Sequence, residues 1–245
     1  MTTIGKYADL AGRAALVTGA SSGIGLGIAE ALCARFPGRA VAVGADLSTE
    51  FGCTALARGA LAAFADISLL VHSAGIWNDG PIGSISSGTL EEMFRVNTFS
   101  AFYLVRELLP ALRAGGAAQP GSIVLIGSTA GQRGEARHSH YAASKGALQG
   151  LAMSLAVELA PAVRTNTVSP GWIRTPMAEE TLARIGPALL PTLPNQRVGE
   201  VADVTAAVLY LASSASGHLL GQDLGVSGGA LLVVPRGQLQ PVKPG

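Results

Sequence analysis

The sequence predicts an α/β fold built on one doubly wound parallel sheet with helices on both faces. Three observations predict it. Short apolar runs alternate with segments of helical spacing, a glycine-rich turn joins the first run to the first helix, and the polar candidates cluster at the carboxyl ends of the runs. Bulk composition agrees: 245 residues, 49% hydrophobic and 13% charged, are enough to bury a sizeable core. Seventeen basic against 16 acidic side chains leave a formal charge of +1, so neither nucleic acid nor an anionic membrane is an expected partner.

The elements follow in order. Arg13–Thr18 is an apolar run ending at glycine, and Gly25–Phe36 has helical spacing through Ile28, Ala31, Leu32 and Arg35. Ala40–Val43 reads as a second strand, Thr54–Phe64 as an alanine-rich helix, and Ser68–Val71 as a third strand closing on Ser73-Ala74-Gly75. A long helix is expected over Leu90–Leu112, a buried strand over Ser122–Ile126, and a helix over Tyr141–Leu159. A strand over Arg164–Val168, a helix over Val201–Ala212 and a short strand over Gln222–Val226 complete the alternation. Such a chain implies right-handed crossovers, with ligands beyond the carboxyl ends of the strands where their order reverses. The domain is expected to span residues 1–234, with 235–245 a tail rich in Pro, Gly and Gln. Apolar stretches such as Leu148–Ala162 are broken by Gln149, Ser154 and Glu158, short of the roughly 20 residues of a membrane span. Cys33 and Cys53 have no Cys or His at metal-ligand spacing, so no metal is expected. These free thiols, with no leader-like N-terminus, fit a reducing cytoplasm.

The turn Thr18-Gly19-Ala20-Ser21-Ser22-Gly23-Ile24-Gly25 has the pattern of a dinucleotide site. Gly19 permits a tight turn, Gly23 lets the backbone approach a pyrophosphate, and Gly25 lets helix pack on strand. Asp46 follows about twenty positions later, where an acid binds the ribose 2′-hydroxyl of NAD. No Lys or Arg at Ser22 or just after Asp46 stands ready for the 2′-phosphate of NADP. NAD is therefore the expected cofactor, with NADP second; the alternative for Asp46 is a helix cap or turn. Tyr141 and Lys145, at i and i+4, project from one helix face. A nearby ammonium favours the phenolate of a group whose ordinary pKa is near 10. Ser128 follows a buried strand and can hydrogen-bond a substrate oxygen.

With these residues in view, the chain resembles the short-chain dehydrogenase/reductase family over nearly all of Leu10 to Val234. The resemblance rests on the glycine turn, Ser73-Ala74-Gly75, Val96-Asn97, Gly127-Ser128 and Tyr141-Ala142-Ala143-Ser144-Lys145. Pro170-Gly171 with Thr175, and Gly221-Gln222 leading to Gly228-Gly229, add to it. It implies a Rossmann-type sheet, a nicotinamide cofactor, and Asn97, Ser128, Tyr141 and Lys145 as catalytic residues interconverting a secondary alcohol and a ketone. By resemblance Tyr141 exchanges the proton, Ser128 polarises the oxygen, Lys145 also holds the nicotinamide ribose, and Asn97 holds a relay water. Gly19, Ser21, Ser22, Gly23, Ile24, Gly25, Asp46, Ser73, Ala74, Gly75, Pro170, Gly171, Ile173 and Thr175 join Tyr141 and Lys145 as expected cofactor contacts. Ser128, Ala130, His138, Tyr141, Trp172 and Met177 are the expected substrate contacts.

The chain departs from that pattern in places. Gly25 to Ala74 is 49 positions, short for a full strand, helix and strand, so Asp46-Leu47-Ser48 alternatively resembles the family's third-strand aspartate, which touches adenine. His72 and Ser73 replace two asparagines, His72 being expected to be structural, and Ser227 stands where an aspartate often precedes Gly-Gly. Residues 177–198 resemble a substrate lid, apolar at Met177, Leu182, Ile185, Leu189, Leu190 and Leu193 and broken by Pro187, Pro191 and Pro194. Trp77, His138 and Trp172 are expected near the pocket mouth. Arg133, Arg137, His138 and His140 make the loop before Tyr141 basic, which suits an anionic substrate or a solvated turn. The substrate is a small molecule, either a 3-oxoacyl compound or a small cyclic hydroxy compound. The resembled family implies a homotetramer, with a homodimer second, through the helix of Tyr141 and the long one before it. The alternatives are an inactive dinucleotide-binding sensor or scaffold, and an isomerase or dehydratase using the same groups.

Overall fold

The computed structural model describes residues 7–35 and 38–232. Five strands form one parallel sheet: β1 (Ala14–Val17), β2 (Ile67–His72), β3 (Gly121–Ile126), β4 (Val163–Pro170) and β5 (Asp223–Val226). Their spatial order is their sequence order, β1-β2-β3-β4-β5. The central strands are buried along their whole length, as a parallel sheet covered on both faces requires.

Helices cover both faces. On one, α2 (Glu50–Ala63), α4 (Ser100–Arg113) and α6 (Ser139–Leu159) contribute Cys53, Leu56, Leu104, Leu108, Leu148 and Leu155 to a core against Leu70, Ile123 and Leu125. On the other, α1 (Gly23–Arg35) and α8 (Val201–Ala212) bring Ile28, Val204 and Val208 against Leu69, Val71 and Val124. The outer faces of α4 and α6 leave Phe102, Met153 and Val157 exposed.

Three expectations are corrected. Ala40–Val43 is not a strand: residues 38–46 run without strand pairing, with Val41 and Val43 substantially exposed. The short apolar run there reads as β, but α1 and α2 are each taken up by one face of the β1–β2 pair, so no helix is left to cover a further strand. The sheet therefore has no strand-order reversal among the described residues, and β1 pairs directly with β2. The helix expected over Leu90–Leu112 is α3 (Ser87–Phe94), a π-type turn Arg95–Phe99, and α4. At that turn the Ser100 N–H reaches Arg95 O, five residues back. Other boundaries move by a few residues, and 201–212 matches. The expected tail, 235–245, and Val233-Val234 lie outside the described residues.

The lid segment contains α7 (Glu179–Leu189), with Leu182, Leu193 and Val198 buried and Met177 exposed. Its far end docks on Gly228-Gly229: Asn195 N donates to Gly228 O at 3.2 Å, and a Cβ on Gly229 would fall 2.7 Å from Pro194. The tandem glycine is thus a seat for the lid. No helix among the described residues is long and apolar enough to cross a membrane.

Candidate active site

The carboxyl ends of β1 to β4 open onto one cavity of about 380 Å³. The turn after β1 forms one wall. Gly19 has φ +66, where a side chain is strained, and a Cβ there would sit 2.9 Å from the Ala74 backbone. A Cβ on Gly25 would fall 2.3 Å from Gly19 O, so this glycine lets α1 start directly beneath the turn. Thr175 faces Gly23, its Cβ and Cγ2 3.4 Å from where a Gly23 Cβ would stand. The first turn of α1, with backbone N–H groups that no helical carbonyl can reach, thus opens onto the cavity opposite a hydroxyl-bearing side chain.

The loop after β2 is tied to this turn. Thr18 Oγ1 accepts from Ser73 N and Ala74 N, both at 3.1 Å, so its proton goes to His72 Nδ1, also at 3.1 Å. His72 Nε2 then donates to Ser100 Oγ (3.2 Å), which donates to Val96 O (2.6 Å). Burial, with the nearby Lys145 charge, pushes the His72 pKa down to about 3, so the ring is neutral. This is the structural role expected of His72. The partners Thr18 and Ser100 had no sequence signal, because their pairing spans 54 and 28 positions.

Asn97 lies fully buried in the π turn. Its Oδ1 accepts from Ile76 N (2.7 Å), and its Nδ2 donates to Ile76 O and to Ser144 Oγ, both at 3.0 Å. Ser144 Oγ in turn donates to Tyr141 O at 2.8 Å. The Asn97 side chain is thereby engaged with the chain itself, and it clamps the loop after β2 to the helix of Tyr141.

Ser128 follows β3 and caps α5 (Thr129–Arg133), accepting from Ala130 N at 3.1 Å. A Cβ on Gly131 would fall 2.7 Å from Gly146 N, so α5 packs backbone to backbone on α6. That approach brings Ser128 beside Tyr141, and both line the cavity. Burial holds the Tyr141 pKa above its ordinary value; the neighbouring Ser128 hydroxyl works against this and the Glu135 carboxylate adds to it. Lys145, 4% exposed, donates from Nζ to Ile126 O at 2.9 Å, and its Nζ is 6.0 Å from the Tyr141 ring centre. Burial pushes its pKa down to about 8. Burial therefore governs both groups, rather than the lysine alone drawing the phenol down.

The remaining expected residues divide. Ser21, Ser22, Ile24, Gly75, Pro170, Gly171, Ile173, Trp172 and Met177 line the cavity together with Ser128, Tyr141 and Lys145. Ala130 and His138 do not: Ala130 is buried behind Ser128, and His138 stacks on Trp77 at 4.8 Å, backing a ring that does line the cavity. Asp46 is also absent from it. Its Oδ1 accepts from Ser48 N (2.9 Å) and Ser48 Oγ (2.7 Å), bonds that lower its pKa, and Thr49 caps α2 directly after it. It is the turn residue of the alternative reading. Ile76, Thr129 and Glu135 line the cavity without having been expected to. The loops carrying Trp77 and His138 are latched by Arg137 to Asp79 and by Gly80 N to Arg137 O at 2.8 Å.

Comparison with known proteins is consistent with this geometry. Residues 16–230 match a family model described as enoyl-(acyl carrier protein) reductase. The chain is similar to L-xylulose reductase from Bos taurus, 36% identical over 91% of this chain and 98% of that protein. It is 33% identical to 2,3-dihydroxy-2,3-dihydro-p-cumate dehydrogenase from Pseudomonas putida, covering 95% of this chain and 100% of the relative. That alignment runs over 265 positions, more than the 245 residues here, so the relative carries residues this chain lacks. The structure of aldohexose dehydrogenase from Thermoplasma acidophilum superposes with a TM-score of 0.87 and 30% identity, over 96% of this chain and 100% of that one.

Proposed function

The chain belongs to the short-chain dehydrogenases/reductases, nicotinamide-dependent oxidoreductases acting on alcohol or carbonyl groups, and from that premise we propose that Tyr141 exchanges the proton with the substrate oxygen. The observation that carries this reading is that Ser128, Tyr141 and the buried Lys145 line one cavity together with the glycine turn. The cofactor, when bound, supplies or accepts the hydride. Ser128 orients the substrate oxygen against the phenol. In reduction the Tyr141 O–H gives its proton to the oxygen as negative charge develops there; in oxidation the phenolate takes it back. Below about pH 8 Lys145 carries its proton, and its charge favours the phenolate. Asn97 is a positioning residue, holding Ile76 and Ser144 and so the start of α6.

The reading extends to a compact cyclic or sugar-like hydroxy substrate. Trp77 and Trp172, with planes 84° apart, form two apolar walls, while Arg133 and Glu135 bring polar groups to the same cavity. The similar enzymes acting on a dihydroxy-dihydro-p-cumate, on L-xylulose and on an aldohexose support the same substrate class. The test is reduced-nicotinamide absorbance with cyclic diols and aldoses against 3-oxoacyl thioesters. A kcat/KM at least about tenfold higher for the cyclic group is expected. An equal preference for the thioesters would overturn the substrate class.

A further inference from the structure

Resting on the nicotinamide reading, we propose that this chain grips its cofactor by the nicotinamide ribose and adjoining phosphate only. The adenosine end finds no dedicated subsite, so NAD, NADP and nicotinamide mononucleotide bind with similar affinity.

The geometry around β1 carries this. A dinucleotide laid along the carboxyl ends of the strands extends past the glycine turn, and the next strand outward would carry the ribose-reading side chain. Here β1 has β2 on one side and no strand on the other among the described residues. Among the described residues, none between Gly25 and Ser73 lines the cavity, whereas both neighbouring loops do.

The side chains that could read a ribose are elsewhere. The Asp46 carboxylate is engaged by Ser48 in a local turn. Helix α1 carries the chain about 18 Å from the turn before Arg35. Beyond it, the Arg39 guanidinium rests 5.2 Å over the ring of Phe64, at the opposite end of α2 from Asp46. Arg106, which reaches the first turn of α2, is held by Glu50 at 2.7 Å and Glu107 at 3.1 Å. Among the described residues, no carboxylate or guanidinium from the stretch between Gly25 and Ser73 lines the cavity.

The experiment is calorimetric titration of the full chain with NAD⁺, NADP⁺ and nicotinamide mononucleotide, followed by NAD⁺ titration after saturation with the mononucleotide. The three dissociation constants are expected within about tenfold of one another, and saturation is expected to abolish the NAD⁺ heat. Asp46→Ala is expected to leave the NAD⁺ to NADP⁺ ratio unchanged. Larger separation of either dinucleotide from the mononucleotide, NAD⁺ heat that survives saturation, or an Asp46→Ala ratio shifted by more than about tenfold overturns the half-site. Dinucleotide binding without mononucleotide binding sinks the half-site alone. Absence of binding by all three sinks the nicotinamide reading with it.

Discussion

Lys145 is a cation placed where water does not reach it, with a backbone carbonyl as its hydrogen-bond partner. Unfolded, a lysine holds its proton to about 10.5; buried here, it loses it from about 8. Below pH 8 both states carry the proton, and the fold bears the full desolvation penalty. From pH 8 to 10.5 the unfolded state binds the extra proton, so stability rises with pH through that window. Lys145→Met is accordingly expected to stabilise the protein by about 2 kcal/mol at pH 7, after allowance for the lost bond to Ile126, and to abolish turnover. Denaturant unfolding at pH 7 and pH 10 checks this: the gain should shrink towards pH 10. A gain that is absent at pH 7, or that grows with pH, would show that burial does not set the lysine's pKa.

At the scale of elements, the glycine turn makes the sharpest demand on sequence. Gly25→Ala puts a methyl group 2.3 Å from Gly19 O, an encounter between two backbones that no rotamer relieves. A loss of about 1–3 kcal/mol with weakened cofactor binding is expected, whereas Gly44→Ala meets nothing within 4 Å and should gain roughly 0.5 kcal/mol. Thermal unfolding of both variants checks the pair; equal effects would mean that close approach is not what glycine provides at position 25. Such local constraints were legible in the sequence. So were β3, from its continuous apolar run, α8, from its apolar residues at helical spacing, and β4, from its place in the strand–helix alternation. The π turn at Asn97 was not, because its cause is a side-chain amide reaching 21 positions back to Ile76. Ala40–Val43 misled because a short apolar run reports a strand's own preference and not the helix needed to cover it. His138 and Ala130 were placed in the right neighbourhood but one layer too far inward. Sequence spacing does not say which of Trp77 and His138 fronts the cavity.

At the scale of the molecule, four strand ends and the helices between them converge on one cavity, and each supplies a different part. The β1 turn provides one wall, the β2 loop from Ser73 to Trp77 another, β3 provides Ser128, and β4 provides the stretch from Pro170 to Thr175. Shortening the chain on the far side of β1 leaves this convergence intact, because among the described residues none of 26–72 lines the cavity. Proton exchange at Tyr141 is the step on which the whole arrangement bears. Its most direct test is the turnover of Tyr141→Phe, followed by reduced-nicotinamide absorbance, with cofactor binding measured in parallel. The substitution is expected to lower kcat by about 10²- to 10⁴-fold while cofactor affinity stays near that of the unaltered protein. Turnover close to the unaltered level, with the cofactor bound, would contradict it.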